Sequence, residues 1–168
     1  DDRTDLLTLP SNILTLECVF KKPKNKQGAC PLSSFVFNGV TQQGVRGFSF
    51  GAASDGLGAR FALSRGNVIS GLIGAPNNYQ PNVMYSVSVT FNPSDSTFYC
   101  YANGVLIDTK LHTGFLPNNT LMVGRWAAEG SSGGMYEGDI FRVRVYNRYL
   151  TAAEVTQNYN IDKAVYGI

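Results

Sequence analysis

Phe141, Val143 and Val145 alternate with Arg142 and Arg144 along Asp139-Ile140-Phe141-Arg142-Val143-Arg144-Val145-Tyr146, the period-two pattern of a half-buried β-strand. The pattern then breaks at once. Thr151 and Glu154 stand at the Thr-x-x-Glu spacing of a capping box, and Leu150 and Val155 occupy the positions of a hydrophobic staple, so a short helix is predicted to start after Thr151. Upstream, strand-like runs recur between glycine, proline and asparagine. They fall near Leu6 to Leu9, Leu14 to Lys21, Ser34 to Phe37, Gly47 to Gly51, Arg60 to Ser64, Val68 to Leu72, Tyr85 to Phe91, Thr97 to Tyr101, Val105 to Lys110, Leu121 to Gly124 and Tyr136 to Tyr146. Short strands at this spacing predict an all-β protein with two antiparallel sheets rather than an α/β fold. Asn103-Gly104 tolerates the positive φ of a type I′ hairpin turn, and Asn92-Pro93-Ser94-Asp95 supplies the turn before it.

The 168 residues fit one domain, and a chain of this size buries roughly 70% of its unfolded surface without needing a staple. With 18 glycines, 12% aromatic and 15% charged residues, it has the makeup of a turn-rich β protein, not a disordered or coiled-coil one. No apolar run approaches the roughly 20 residues of a membrane-crossing helix, so membrane insertion is not expected. The net charge is +2, and the one basic cluster, Lys21, Lys22, Lys24 and Lys26, has no aromatic residue interleaved for base stacking. Nucleic acid is therefore not an expected partner. Cys18, Cys30 and Cys100 match no zinc spacing; Cys18 and Cys100 lie in strand-like runs and are expected to be small buried hydrophobes.

The strand, the Tyr146-Asn147-Arg148-Tyr149-Leu150-Thr151 corner and the helix start at Glu154-Val155 resemble the end of laminin G-like domains of the concanavalin A-like lectin and glucanase superfamily. Leu14 to Lys21 resembles that family's first long inner strand, and Met84 to Gly104 its central hairpin. Gln157-Asn158-Tyr159-Asn160 through Tyr166-Gly167-Ile168 is similar to copies in bacteriophage virion proteins and bacterial surface proteins. The resemblance implies an all-β jelly-roll sandwich over residues 1–168 with one helix near the C-terminus. Asp1-Asp2 resembles the tail of the family's Asp-Gly-x-Asp-Asp turn, which implies a first strand upstream and, without it, an open sheet edge beside the C-terminal strand. The implied role is a non-catalytic interaction or decoration module of a larger extracellular particle, such as a phage head or tail, with other subunits as partners in an oligomeric assembly. A lectin-type glycan-binding module of a secreted or cell-surface protein is the alternative, and a glycoside hydrolase of the same superfamily the third.

Two patterns invite a catalytic reading, and neither holds. Gly47-Phe48-Ser49-Phe50-Gly51 matches the nucleophile elbow Gly-x-Ser-x-Gly, but an elbow needs a helix straight after the serine, whereas Phe48 and Phe50 alternate with Ser49 as in a strand. Its only available base is His112. Glu137 and Asp139 share a strand face as the carboxylates of a retaining glycosidase must, about 5–5.5 Å apart. The third position of the superfamily's catalytic pattern is filled by Phe141 or Arg142, and arginine cannot serve as a neutral-pH acid. No enzymatic activity is expected.

For binding, sugars are held by an aromatic face with planar amide or carboxylate partners. Asn77, Asn78 and Tyr79 in one loop and Arg125, Trp126 and Glu129 in another offer that set, although Trp126 suits a core or interface plug better than a glycan platform. No cofactor is expected; calcium is the one ion the family's loop rims take, and Asp55 and Asp95 lie in loops of the right kind. Asn118-Asn119-Thr120 is a glycosylation sequon.

Overall fold

The computed structural model describes residues 13–21, 32–33, 48–52, 59–65, 68–74, 82–113, 121–124, 136 and 138–168. The described strands are β1 (Thr15–Lys21), β2 (Leu32–Ser33), β3 (Phe48–Ala52), β4 (Ala59–Arg65), β5 (Val68–Gly74), β6 (Met84–Asn92), β7 (Thr97–Ala102), β8 (Val105–Leu111), β9 (Met122–Val123) and β10 (Asp139–Tyr146), followed by helix α1 (Ala152–Tyr166). They form two five-stranded antiparallel sheets, ordered β10-β1-β6-β7-β8 and β5-β4-β3-β2-β9. The expected strands near Leu6 and Ser34 lie outside the described residues. The two-residue β2 was not anticipated, since Leu32-Ser33 follows a proline and carries no alternation of its own.

Alternation decides which face of the first sheet is the core. Leu16, Cys18 and Phe20 of β1, Val87, Val89 and Phe91 of β6 and Phe98 and Cys100 of β7 pack into one buried cluster with Ile13. Cys18 and Cys100 thus behave as buried hydrophobes, and burial pushes the Cys100 thiol well above its ordinary value. The opposite face carries Glu17 and Val19 on β1, Ser86 and Ser88 on β6 and Tyr99 and Tyr101 on β7, and α1 lies across part of it.

β10 departs from simple alternation. Val19 pairs with Arg142 and Phe20 with Ile140, so Phe141 is the extra residue of a β-bulge. Ile140, Val143 and Val145 pack against the core, whereas Phe141, expected beside the two valines, turns to the helix side and meets Tyr166 with ring centroids 5.7 Å apart. The inner edge of β10 pairs with β1; among the described residues no strand pairs with its other edge.

The local signals are realised. Thr151 Oγ1 accepts from Glu154 N at 3.4 Å and the Glu154 carboxylate accepts from Thr151 N at 2.8 Å, the reciprocal capping box. Leu150 and Val155 are both buried with Tyr101, which closes the staple. The helix runs on to Tyr166, longer than its start signal could tell, and Gly167 ends it at φ 72 with its N–H on Lys163 O. Thr151→Ala should cost about 0.5–2 kcal/mol in a denaturant titration, and an unshifted midpoint would show the cap to be idle.

Asn103 and Gly104 have φ 49 and 74, as a type I′ turn requires. The turn also tucks under α1: Thr156 Oγ1 donates to Gly104 O, and a Cβ on Gly104 would sit 2.6 Å from the Tyr159 ring. Gly104→Ala combines a strained φ with a displaced tyrosine, and about 1–3 kcal/mol of destabilisation is expected. Moving the same substitution to Gly167, where nothing lies within 4 Å, leaves only the φ penalty and should cost clearly less.

Candidate functional site

The residues proposed from sequence to hold a ligand, Asn77, Asn78, Tyr79, Arg125, Trp126 and Glu129, lie outside the described residues, as do Asp55 and Glu137. Those within them are placed as follows. Ser49 sits inside β3, paired with Ala62 and Ser33, so it is a strand residue and no elbow. His112 follows β8 in the other sheet, its ring buried edge-on against Phe98 at 6.0 Å and its backbone N–H donated to Ser96 O. Asp139 opens β10, exposed and opposite Lys21. Asp95 holds the turn before β7: Oδ1 accepts from Thr97 N at 3.0 Å and Oδ2 from Asn92 Nδ2 and Tyr99 Oη, each at 2.9 Å. Among the described residues no group of three or more His, Cys, Asp or Glu is placed to hold a metal ion.

The densest chemistry lies between the first sheet and α1. Glu17, Ser88, Arg142, Arg144 and Tyr146 point outward from β1, β6 and β10, and Asn158 and Asp162, one helical turn apart, point down from α1. Arg144 grips Asp162 with two parallel bonds, Nη2 to Oδ1 at 2.7 Å and Nη1 to Oδ2 at 2.8 Å, and reaches Glu17 Oε2 at 3.4 Å. Arg142 Nη1 adds a second cation on Asp162 Oδ1 at 2.8 Å. Glu17 also accepts from Ser88 Oγ at 3.0 Å and Asn158 Nδ2 at 2.9 Å, and Asn158 bridges on to Tyr146 Oη at 3.0 Å.

Burial raises the Glu17 carboxyl above its usual value, an effect that the Ser88 hydrogen bond and Arg144 only partly offset. Burial alone would lower the Arg144 guanidinium, but its bonds to Asp162 hold it above the usual value. A raised carboxyl beside a tyrosine and two arginines has the ingredients of an acid–base site, yet Glu17 is 2% exposed and Asp162 1%. Their oxygens are spent on side chains of the same chain, and Asn158 and Asp162 themselves come from the helix that lies over the cluster. The cluster is a clamp that seats α1.

Its pH signature follows. Because the folded chain holds the Glu17 proton more tightly than the unfolded chain, the group contributes its full stabilisation below the ordinary carboxylate value. That contribution declines as pH rises through the raised folded value and then stays flat. Glu17→Gln should therefore flatten the fall in stability that sets in above pH 4.5, and an unchanged slope of unfolding free energy against pH would contradict this.

Sequence reasoning missed the clamp, although one signal was present. Arg142 and Arg144 stand on the polar face of β10's alternation, and Glu17 of β1, between Leu16 and Cys18, marks a polar stripe on that same side. Beside the clamp, the corner leading into α1 is pinned by hydroxyls. Thr15 Oγ1 donates to Arg148 O at 2.8 Å, which leaves Thr90 to donate to Thr15 across 2.6 Å while accepting from Leu150 N at 3.0 Å. Past that corner the outer sheet face runs on uncovered by α1, with Tyr99 and Tyr149 5.8 Å apart and tilted by 53°.

Known proteins agree with this architecture. A laminin G profile, described as the Concanavalin A-like lectin/glucanases superfamily, matches residues 3–156. No curated protein sequence matches the chain. Among solved structures, the carbohydrate-binding module CBM40 of the Ruminococcus gnavus IT-sialidase, bound to α2,3-sialyllactose, superposes with a TM-score of 0.69 at 19% identity, over 88% of this chain and 83% of that one. The heptameric SAP-like pentraxin of Limulus polyphemus gives 0.63 at 19% identity, over 88% and 70%. The leech intramolecular trans-sialidase gives 0.68 at 17% identity, over 90% of this chain but 24% of that one. With a family match that spans nearly its whole length, the chain belongs to the concanavalin A-like lectin/glucanase superfamily, as a laminin G-like domain.

Proposed function

We propose that this domain is a non-catalytic glycan-binding module. The carrying observation is the fold it shares, over 88% of its length, with a carbohydrate-binding module solved with sialyllactose. The described carboxylates give no support to hydrolysis. Glu17 and Asp162 are sealed in the clamp, Asp95 is committed to its turn, and Ser49 is a strand residue. The proposed contacts are Trp126 and Tyr79 as stacking faces, Asn77, Asn78 and Glu129 as partners for sugar hydroxyls, and Arg125 as a bidentate partner for the carboxylate of an acidic sugar.

Calorimetric titration with 3′-sialyllactose, 6′-sialyllactose and lactose tests this reading. Sialylated ligands should bind at least about tenfold tighter than lactose, the difference one charge-assisted pair supplies. Failure of every sugar to bind would retire the proposal. Binding is expected to survive EDTA; its loss on chelation would instead assign calcium to the loop rim at Asp55.

A second reading, an assembly or decoration module on an extracellular or virion surface, draws on β10, whose outer edge has no strand partner among the described residues. It predicts a strand from an upstream segment or a neighbouring subunit beside Ile140 to Val145 in the full-length protein. A full-length structure in which residues of this chain already flank β10 on both sides would sink it.

A further inference from the structure

We propose a second saccharide-contact surface, selective for a neutral pyranose, on the outer face of the first sheet at Tyr99, Tyr149, Thr97 and Asp95. None of these residues falls in the segments 77–79 or 125–129. Tyr99 and Thr97 lie on the face of β7 turned away from the core, and Tyr149 reaches the same place from the corner before α1, its ring tilted beside that of Tyr99. Thr109 and Leu111 continue the face on β8, opposite Tyr99 and Thr97, and Leu111 is 66% exposed.

The direction of each hydrogen bond decides the ligand. Tyr99 Oη donates its proton to Asp95 Oδ2, and Thr97 Oγ1 donates its proton to Asp95 O at 3.1 Å. The Thr97 amide is turned inward to Asp95 Oδ1 as well. With these protons consumed, the ledge presents the lone pairs of Tyr99 Oη and Thr97 Oγ1 and the remaining capacity of Asp95 Oδ1 as acceptors, beside one hydroxyl donor, that of Tyr149. The hydrogen bond to Asp95 also holds the Tyr99 hydroxyl above its ordinary pKa, so it stays a neutral phenol. With the Asp95 carboxylate beside the two aromatic rings, this mostly accepting surface disfavours phosphate, sulfate or a sugar carboxylate. It suits a ligand with hydroxyl donors at its rim and C–H groups on its face, which is an uncharged pyranose. The turn hydrogen bonds fix these groups before any ligand arrives, so little ordering entropy is lost on contact.

Two-dimensional NMR titration of the whole 168-residue chain, with lactose and maltotriose as neutral probes and 3′-sialyllactose as the charged one, tests the assignment. Neutral probes at millimolar concentration should shift the amides of Thr97, Tyr99 and Tyr149. Tyr149→Ala should weaken that response roughly threefold to tenfold, the size of one aromatic contact. Tyr99→Phe keeps the ring and loses one acceptor, so it should weaken binding less; melting curves would confirm that both variants fold. Absence of shifts at these amides with both neutral probes, or shifts indifferent to Tyr149→Ala, overturns the proposal. Trp126→Ala separates the two surfaces, since it should weaken sialyllactose binding at least about thirtyfold and leave the ledge response unchanged. Loss of the ledge response in Trp126→Ala would show that both effects come from the loop site and overturn the second surface alone.

Discussion

Asp162→Ala is expected to destabilise the domain by about 2–4 kcal/mol, somewhat under the full cost of breaking a buried ion pair because the cationic partners are part-exposed. Asp162 is 1% exposed and accepts from both Arg142 and Arg144, so its loss leaves Arg142, whose side chain is 29% exposed, without that partner and Arg144, 18% exposed, with Glu17 alone. Coulomb attraction and desolvation nearly cancel while the cluster is intact, and only the attraction disappears in the variant. The same cancellation predicts that replacing Glu17, Arg142, Arg144 and Asp162 together by apolar residues of similar volume recovers most of the loss. Urea denaturation of the single and quadruple variants measures both, and hydrogen exchange locates the effect: amides of α1 should lose protection before those of β1 and β6. A single-variant shift under about 1 kcal/mol, below even a typical neutral hydrogen bond's upper range, would mean that α1 is seated by Val155 and Tyr159 rather than by charge.

What could be seen in the sequence was what is decided locally. The capping box at Thr151 and Glu154, the Asn103-Gly104 turn and the strand around Ser49 each depend on a few adjacent residues, and each is found as expected. The bulge at Phe141 is set by how β10 meets β1, more than a hundred residues away in the chain, and nothing in Ile140-Phe141-Arg142 announces it. The seating of α1 was hidden for a different reason. Hydrophobic periodicity would turn Ile161 and Val165 inward and Asp162 outward, but the helix does the reverse, with Ile161 46% and Val165 59% exposed. Burial of Asp162 makes sense only once Arg142 and Arg144 are known to stand beneath it. The segments proposed to bind a ligand are harder still, since Asn77 to Tyr79 and Arg125 to Glu129 follow no period at all and only their side-chain chemistry singles them out.

Trp126→Ala should reduce sialyllactose affinity at least about thirtyfold, the loss of roughly 2 kcal/mol typical of an aromatic anchor at the centre of a binding site. The indole would supply the apolar face on which the sugar's C–H groups lie, a contact with no substitute among the other proposed residues, because Tyr79 is smaller and the remainder are polar. Arg125→Lys provides the complementary test. It keeps the charge and loses the planar fork, so it should weaken sialyllactose binding while leaving lactose binding in place, whereas Trp126→Ala should weaken both. Trp126 could instead be a plug of the core. Trp126→Ala would then lower the melting temperature by several degrees, and binding would fall only as far as the folded fraction does. Titration at a temperature where both proteins are fully folded separates these cases. An affinity within threefold of the parent there would remove Trp126 from the site and, with it, the aromatic platform on which the glycan-binding proposal places its ligand.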